Sequence, residues 1–79
     1  MLTSTPPPVP LTLKFLREEL KLSQREIAAQ LKLSRSAYEG YEGGRRPIPV
    51  EVLVRVAERF ELSSRELASL TIWAGTVNK

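Results

Sequence analysis

Apolar residues recur along this chain in short runs, and the runs have helical spacing. Leu13, Leu16 and Leu20 lie at i, i+3 and i+7 and predict a first helix over 13–20, capped by Thr12. Ile27, Ala28 and Leu31 predict a second over 24–31. Ala37, Tyr38 and Tyr41 predict a third over 35–42. Val50, Leu53, Val54 and Ala57 fall at i, i+3, i+4 and i+7 and predict a fourth over 50–60. Val52 and Val56 add apolar surface beyond that stripe, so this helix is expected to be central and buried. A fifth runs over 64–73, with Leu70, Ile72 and Trp73 near its end. No alternating run predicts a strand.

Start and stop signals agree with these boundaries. "SQRE", Ser23 to Glu26, and "SSRE", Ser63 to Glu66, are capping boxes: the serine accepts from the third helical N–H, and the glutamate reaches back. Ser34 caps the third helix, Gly43-Gly44 ends it, and Pro49 sits at the entry of the fourth. The expectation is an all-α, compact five-helix bundle in a single domain over 11–73. Residues 1–10 hold four prolines and read as a flexible extended arm; 74–79 read as a frayed tail.

Composition narrows the function. The 79 residues contain no cysteine and no histidine. The usual zinc ligands, the usual general base and thiol or histidine triads are therefore missing. No metal or cofactor is expected, and no enzymatic activity. The acidic residues, all glutamates, have no histidine, cysteine or phosphate-cradling loop beside them. No apolar run is long enough to span a membrane, and the N-terminus lacks a secretory pattern. Cytoplasmic localisation is expected. Net charge is +3 with pI near 9.7, a weak pointer to a polyanion.

The second and third runs are joined through Lys32-Leu33-Ser34 alone. Small Ala28, Ala29 and Ala37 permit close crossing, and the short junction forces a steep angle, as in a helix-turn-helix. From Leu13 to Leu70 the chain resembles the phage-repressor-like helix-turn-helix proteins of Cro/cI or XRE type. The resemblance is carried by Leu22-Ser23-Gln24, Glu26, Ala28, Leu31, Ser34, Glu42, Gly44 and Arg46, then Leu53, Ala57, Ser63 and Leu67. It implies a lambda-repressor-like fold. It also implies a DNA-binding transcriptional regulator, in the usual case a homodimeric repressor, with the third helix in the major groove. The chain departs from the pattern at Lys32, where glycine is common, at Gly40 inside the third helix, and in carrying two prolines, Pro47 and Pro49.

The resemblance implies roles residue by residue. Arg35, Ser36 and Glu39 face base edges: arginine suits guanine, serine several bases, and glutamate cytosine. Gly40 offers only close approach, which leaves readout narrow or dependent on DNA shape. Gln24, at a helix start, binds a backbone phosphate, with Arg25 a weaker candidate. Arg45 and Arg46 clamp phosphate; as plain structure they would complement a helix C-terminus. Arg17 and Glu42 form a structural ion pair. Tyr38 reads as core, and Tyr41 as core or stacking surface. Leu70, Ile72 and Trp73 cover either their own domain or a two-fold partner, and the dimer interface is assigned to them.

Two functions compete. One is sequence-specific binding of double-stranded DNA. The other is a protein-interaction module, such as an antitoxin whose main partner is another protein. Charge placement favours DNA: Arg25, Lys32, Arg35, Arg45 and Arg46 gather in the paired helices, while Glu51, Glu58, Glu61 and Glu66 lie in the later ones. Glu39 and Glu42 run against that trend.

Overall fold

Each of the first three helices starts on a hydroxyl. In the computed structural model, which describes residues 11–77, Thr12 Oγ1 accepts from Phe15 N–H at 3.0 Å and opens α1 (Leu13–Glu19). Ser23 accepts from Glu26 N–H at 3.0 Å while Glu26 accepts from Ser23 N–H at 2.8 Å, opening α2 (Gln24–Gln30). Ser34 accepts from Ala37 N–H and opens α3 (Arg35–Glu42). Pro49, with no side-chain cap, precedes α4 (Val50–Arg59). The Ser63–Glu66 box opens α5 (Ser64–Val77). These contacts satisfy N–H groups that a helix start leaves without intrahelical partners. The described residues contain five helices and no strand. The proline-rich stretch 1–10 and residues 78–79 lie outside the described residues.

Helix ends follow one rule as well. At the end of α1, Leu22 N–H donates to Arg17 C=O and Lys21 N–H to Glu18 C=O. At the end of α2, Leu33 N–H donates to Ala28 C=O and Lys32 N–H to Ala29 C=O. After α3, Arg45 N–H reaches Gly40 C=O and Gly44 N–H reaches Tyr41 C=O. After α4, Leu62 N–H reaches Ala57 C=O. The first three are complete Schellman closures and the fourth shares their outer bond. Each needs a left-handed residue, and only one of the four is glycine: Lys21 has φ 58°, Lys32 59°, Gly44 76° and Glu61 54°. Three of the junctions read Lys21-Leu22-Ser23, Lys32-Leu33-Ser34 and Glu61-Leu62-Ser63. The first residue turns the chain, the leucine folds back onto the core, and the serine caps the next helix.

The core is continuous through Leu13, Leu16, Ile27, Ala28, Leu31, Tyr38, Tyr41, Val52, Leu53, Val56, Leu70 and Ala74. Helix α2 packs on α3, α1 on α3, and α4 on α5. Ile48 is also buried, held between Pro47 and Pro49 in a loop with no helical period to announce it. Leu11 N–H donates to Ser69 Oγ at 2.7 Å and ties the start of the domain to α5.

Several boundaries and faces differ from the sequence expectation: α2 ends at Gln30 and α4 at Arg59, each one residue short, with Leu31 and Phe60 as the C-terminal caps. Helix α4 turns Val52, Leu53 and Val56 inward, while Val50 is 75% and Val54 42% exposed. A valine-rich helix satisfies two overlapping apolar stripes, and packing on α5 selects one of them. Helix α1 stops at Glu19, so Leu20 becomes its half-exposed C-terminal cap. Helix α5 continues to Val77 rather than ending at Trp73, because Ala74 still reaches the core.

Left-handed backbone at a non-glycine residue costs about 1 kcal/mol. Glu61 is exposed and distant from the paired helices in sequence. Glu61→Gly is expected to stabilise the domain by roughly 0.5–1 kcal/mol and to raise Tm by about 2–6 °C in a thermal melt followed by circular dichroism. A lower Tm would show that Glu61 is not held in that conformation in solution.

Candidate nucleic-acid interface

The carboxylate of Glu42, the last residue of α3, collects donors from three helices. Arg17 of α1 donates from Nε to Oε1 at 2.9 Å and from Nη2 to Oε2 at 3.3 Å. Tyr38, one turn back on α3, donates its hydroxyl to Oε1 at 2.7 Å. Gln24, at the start of α2, donates Nε2 to Oε2 at 3.2 Å. Arg17 also donates from Nη1 to Leu22 C=O at 3.1 Å, which holds the α1–α2 junction. The Arg17 and Glu42 side chains are only 16% and 9% exposed.

These surroundings set the protonation states. Burial alone pushes Glu42 upward, but the hydrogen bonds from Arg17, Tyr38 and Gln24 outweigh it and hold the carboxyl below the ordinary glutamate range. Arg17 is raised, chiefly by its hydrogen bonds to Glu42. Tyr38 is pushed well above its usual value, first by burial and then by its bond to the carboxylate. At neutral pH the cluster is therefore a carboxylate, a guanidinium and a neutral phenol.

With the last turn of α3 tied down, its outward side is left to solvent. Arg35 and Ser36 are exposed, and Glu39 is partly so. Arg35 Nε donates to Glu39 Oε2 at 2.8 Å across one helical turn, so the two pair with each other along the face. Arg25 stands exposed in the first turn of α2. Gln24, assigned to phosphate from the sequence, is turned toward Glu42 in this structure. Arg45 and Arg46 are exposed, and the closure after α3 returns both over its last turn. Arg45 Nη1 lies 2.9 Å from where a Cβ on Gly43 would stand; Arg46 Cδ lies 2.5 Å from where one on Gly40 would stand. Gly40 is thus covered by Arg46, and its lack of a side chain admits that arginine rather than an incoming partner.

The three residues assigned to an interface separate. Leu70 is 0% exposed and belongs to the chain's own core, so it is withdrawn as an interface contact. Trp73 is half-buried against that core, and Ile72 is 67% exposed. Tyr38 and Tyr41 are both buried.

Several contacts have no counterpart in the sequence analysis, among them Gln24 with Glu42, Leu11 with Ser69 and Arg35 with Glu39. Arg55 of α4 donates from Nη1 to Leu31 C=O at 3.1 Å and satisfies the end of α2 from another helix. No local pattern signals such a contact. The Tyr38–Glu42 bond has a sequence signal, an i,i+4 spacing, and it adds a polar role to a tyrosine that is also core.

A family model described as a helix-turn-helix domain matches residues 12–71. The HTH-type transcriptional regulator PrpR of Mycobacterium tuberculosis (strain ATCC 25618 / H37Rv) is 42% identical over 57 residues. That alignment covers 72% of this chain but 12% of the relative. No solved structure matches significantly.

Removing one partner from a largely buried ion pair strands the other. Glu42→Gln is expected to cost about 2–4 kcal/mol at pH 7, read by denaturant unfolding. The folded pKa of Glu42 lies below the unfolded one, so its stabilisation is full above the ordinary glutamate range. It is lost as pH falls through that range, about 4.3, toward the depressed value. Wild type and Glu42→Gln should therefore converge in stability on acidification. A gap that stays constant to low pH would contradict the assignment.

Proposed function

The chain belongs to the helix-turn-helix family, and from that premise we propose that it is a sequence-specific, double-stranded-DNA-binding transcriptional regulator acting in the cytoplasm. Helix α3 enters the major groove and α2 crosses the backbone. Arg35, Ser36 and Glu39 read base edges, while Arg25, Arg45 and Arg46 hold phosphates and Gln24, with one amide hydrogen given to Glu42, offers phosphate its second. The carrying observation is the Glu42 cluster. It fixes α3 to α1 and α2 by its buried end, leaving an exposed face that begins at Arg35 and finishes under two returned arginines.

The mechanism is occupancy of a site, with no chemistry on the DNA. Phosphate contacts supply affinity and release counterions. Base contacts then select sequence, and here the Arg35–Glu39 pair must open or turn together to do so. Repression follows where the occupied site overlaps one used by the transcription machinery. A homodimer would set two copies of α3 about 34 Å apart, one turn of DNA. Exposed Ile72 beside half-buried Trp73 is the surface proposed for that contact. The same surface supports a second reading, a module whose main partner is another protein.

The test is selection of bound duplexes from a random DNA library at two salt concentrations. An enriched, two-fold symmetric sequence is expected, with affinity falling steeply as salt rises. Arg45→Ala should weaken all duplexes alike. Arg35→Ala should relax discrimination at one position by about 1–3 kcal/mol. Retention without enrichment, or an unchanged preferred sequence in Arg35→Ala, would remove the base-reading assignment. No retention at low salt would sink the DNA reading and leave the protein-partner one.

A further inference from the structure

Glycine in the interior of a helix is unfavourable relative to alanine. Gly40 nevertheless sits in α3, two residues before its end, with φ outside the left-handed region. Backbone conformation therefore does not require glycine there. Space does. A Cβ on Gly40 would stand 2.5 Å from Arg46 Cδ, 2.7 Å from Cγ and 3.4 Å from Cβ. The obstruction is the stem of the arginine and not its mobile tip, so a small swing of the guanidinium would not relieve it.

Arg46 has little freedom to move aside. Its N–H donates to Gly40 C=O at 3.2 Å. It precedes Pro47, which confines its backbone to extended conformations. Its guanidinium carbon lies 5.4 Å from the centroid of the Tyr41 ring, within cation–π range. Tyr41 is itself buried. Backbone, ring and glycine together direct one side chain along the last turn of α3.

On a helix, Ser36 and Gly40 are neighbours on one line, and Glu39 and Gly43 on the next. The outward face of α3 thus lacks side chains at two successive positions near its end. Arg46 covers the first and Arg45 approaches the second.

We propose that Gly40 is a positioning residue for DNA binding: its missing side chain seats the Arg46 stem and holds the guanidinium at the edge of α3 as a fixed phosphate-binding cation. This rests on the DNA reading above. A cation held in place before binding loses less conformational freedom on contact than a free arginine does. Gly40 contributes nothing to the DNA directly and acts through Arg46. Gly43 is not equivalent, because the nearest atom over it is the Arg45 tip, Nη1 at 2.9 Å, which can swing away.

The test is a double-mutant cycle on the full chain with two readouts. Thermal unfolding, without DNA, reads the contact. In an Arg46→Ala background, Gly40→Ala should raise Tm by about 4 °C through helix propensity. In the wild-type background the same change should leave Tm unchanged or lower it. Binding to a random-sequence duplex, titrated against salt, reads the function. Gly40→Ala and Arg46→Ala should each weaken binding about 3- to 10-fold. Each should also flatten the slope of log affinity against log salt by about 0.9, one phosphate contact. The double variant should lose no more than either single one.

Additive losses, or full affinity and slope in Gly40→Ala, would overturn the proposal with the DNA reading intact. Failure of wild type to bind any duplex would overturn both; coupling in the melts alone would then make the seat a feature of folding only.

Discussion

One carboxylate organises the helix-turn-helix. Glu42 closes α3 and receives Arg17 from α1, Gln24 from α2 and Tyr38 from its own preceding turn. A glutamate in the last turn of a helix faces the negative end of the helix dipole, an unfavourable place for it. Three donors reverse that penalty and use its charge to fix the relative placement of three helices. Replacing such a cluster with apolar residues can preserve stability, but it would not specify a rotation of α3 about its own axis. Rotation matters here, because it decides which side of α3 faces outward.

The junctions supply the second constraint. A short domain with a small core gains from connections that are themselves structured. Three of its four interhelical turns use the same device: a left-handed Lys21, Lys32 or Glu61, a leucine that packs back on the core, and a serine that caps the next helix. Each turn ends one helix, adds to the core and begins the next within three residues. The fourth uses Gly44 and continues into Arg45, Arg46 and the Pro47-Ile48-Pro49 segment. There the chain does not enter a helix at once. It folds over α3, lays two arginines along it and anchors itself through buried Ile48. The one junction that departs from the repeated form is the one that builds the candidate interface.

These features join fold to function along a single path. Glu42 sets the orientation of α3, the closure after α3 reverses the chain, and the reversal brings cations back to an exposed helical face. That face already carries its own pair, Arg35 with Glu39 at 2.8 Å. The two charges compensate each other across one turn of the helix, whereas the returned arginines approach the same helix from outside it.

Much of this was legible in the residues. Five helices followed from the period of the apolar residues, and two capping boxes and the Gly43-Gly44 stop from hydrogen-bonding chemistry that acts within a few positions of the chain. The resemblance placed Lys32 where glycine is common, and the structure holds it in the left-handed conformation. The family pattern pointed to the Arg17 and Glu42 that the structure brings together. Tertiary packing decided the rest. The inward face of α4, the retention of Leu70 in its own core, the extension of α5 past Trp73 and the burial of Ile48 each depend on what lies opposite. The turning of Gln24 toward Glu42 and the covering of Gly40 by Arg46 depend on contacts between residues that share no helical period. Local pattern determined where each helix begins and where a closing turn stops it, because caps and turns are short-range; only the fold decided which of two apolar stripes α4 buries and how far α5 runs, because those choices are settled between elements and not within them.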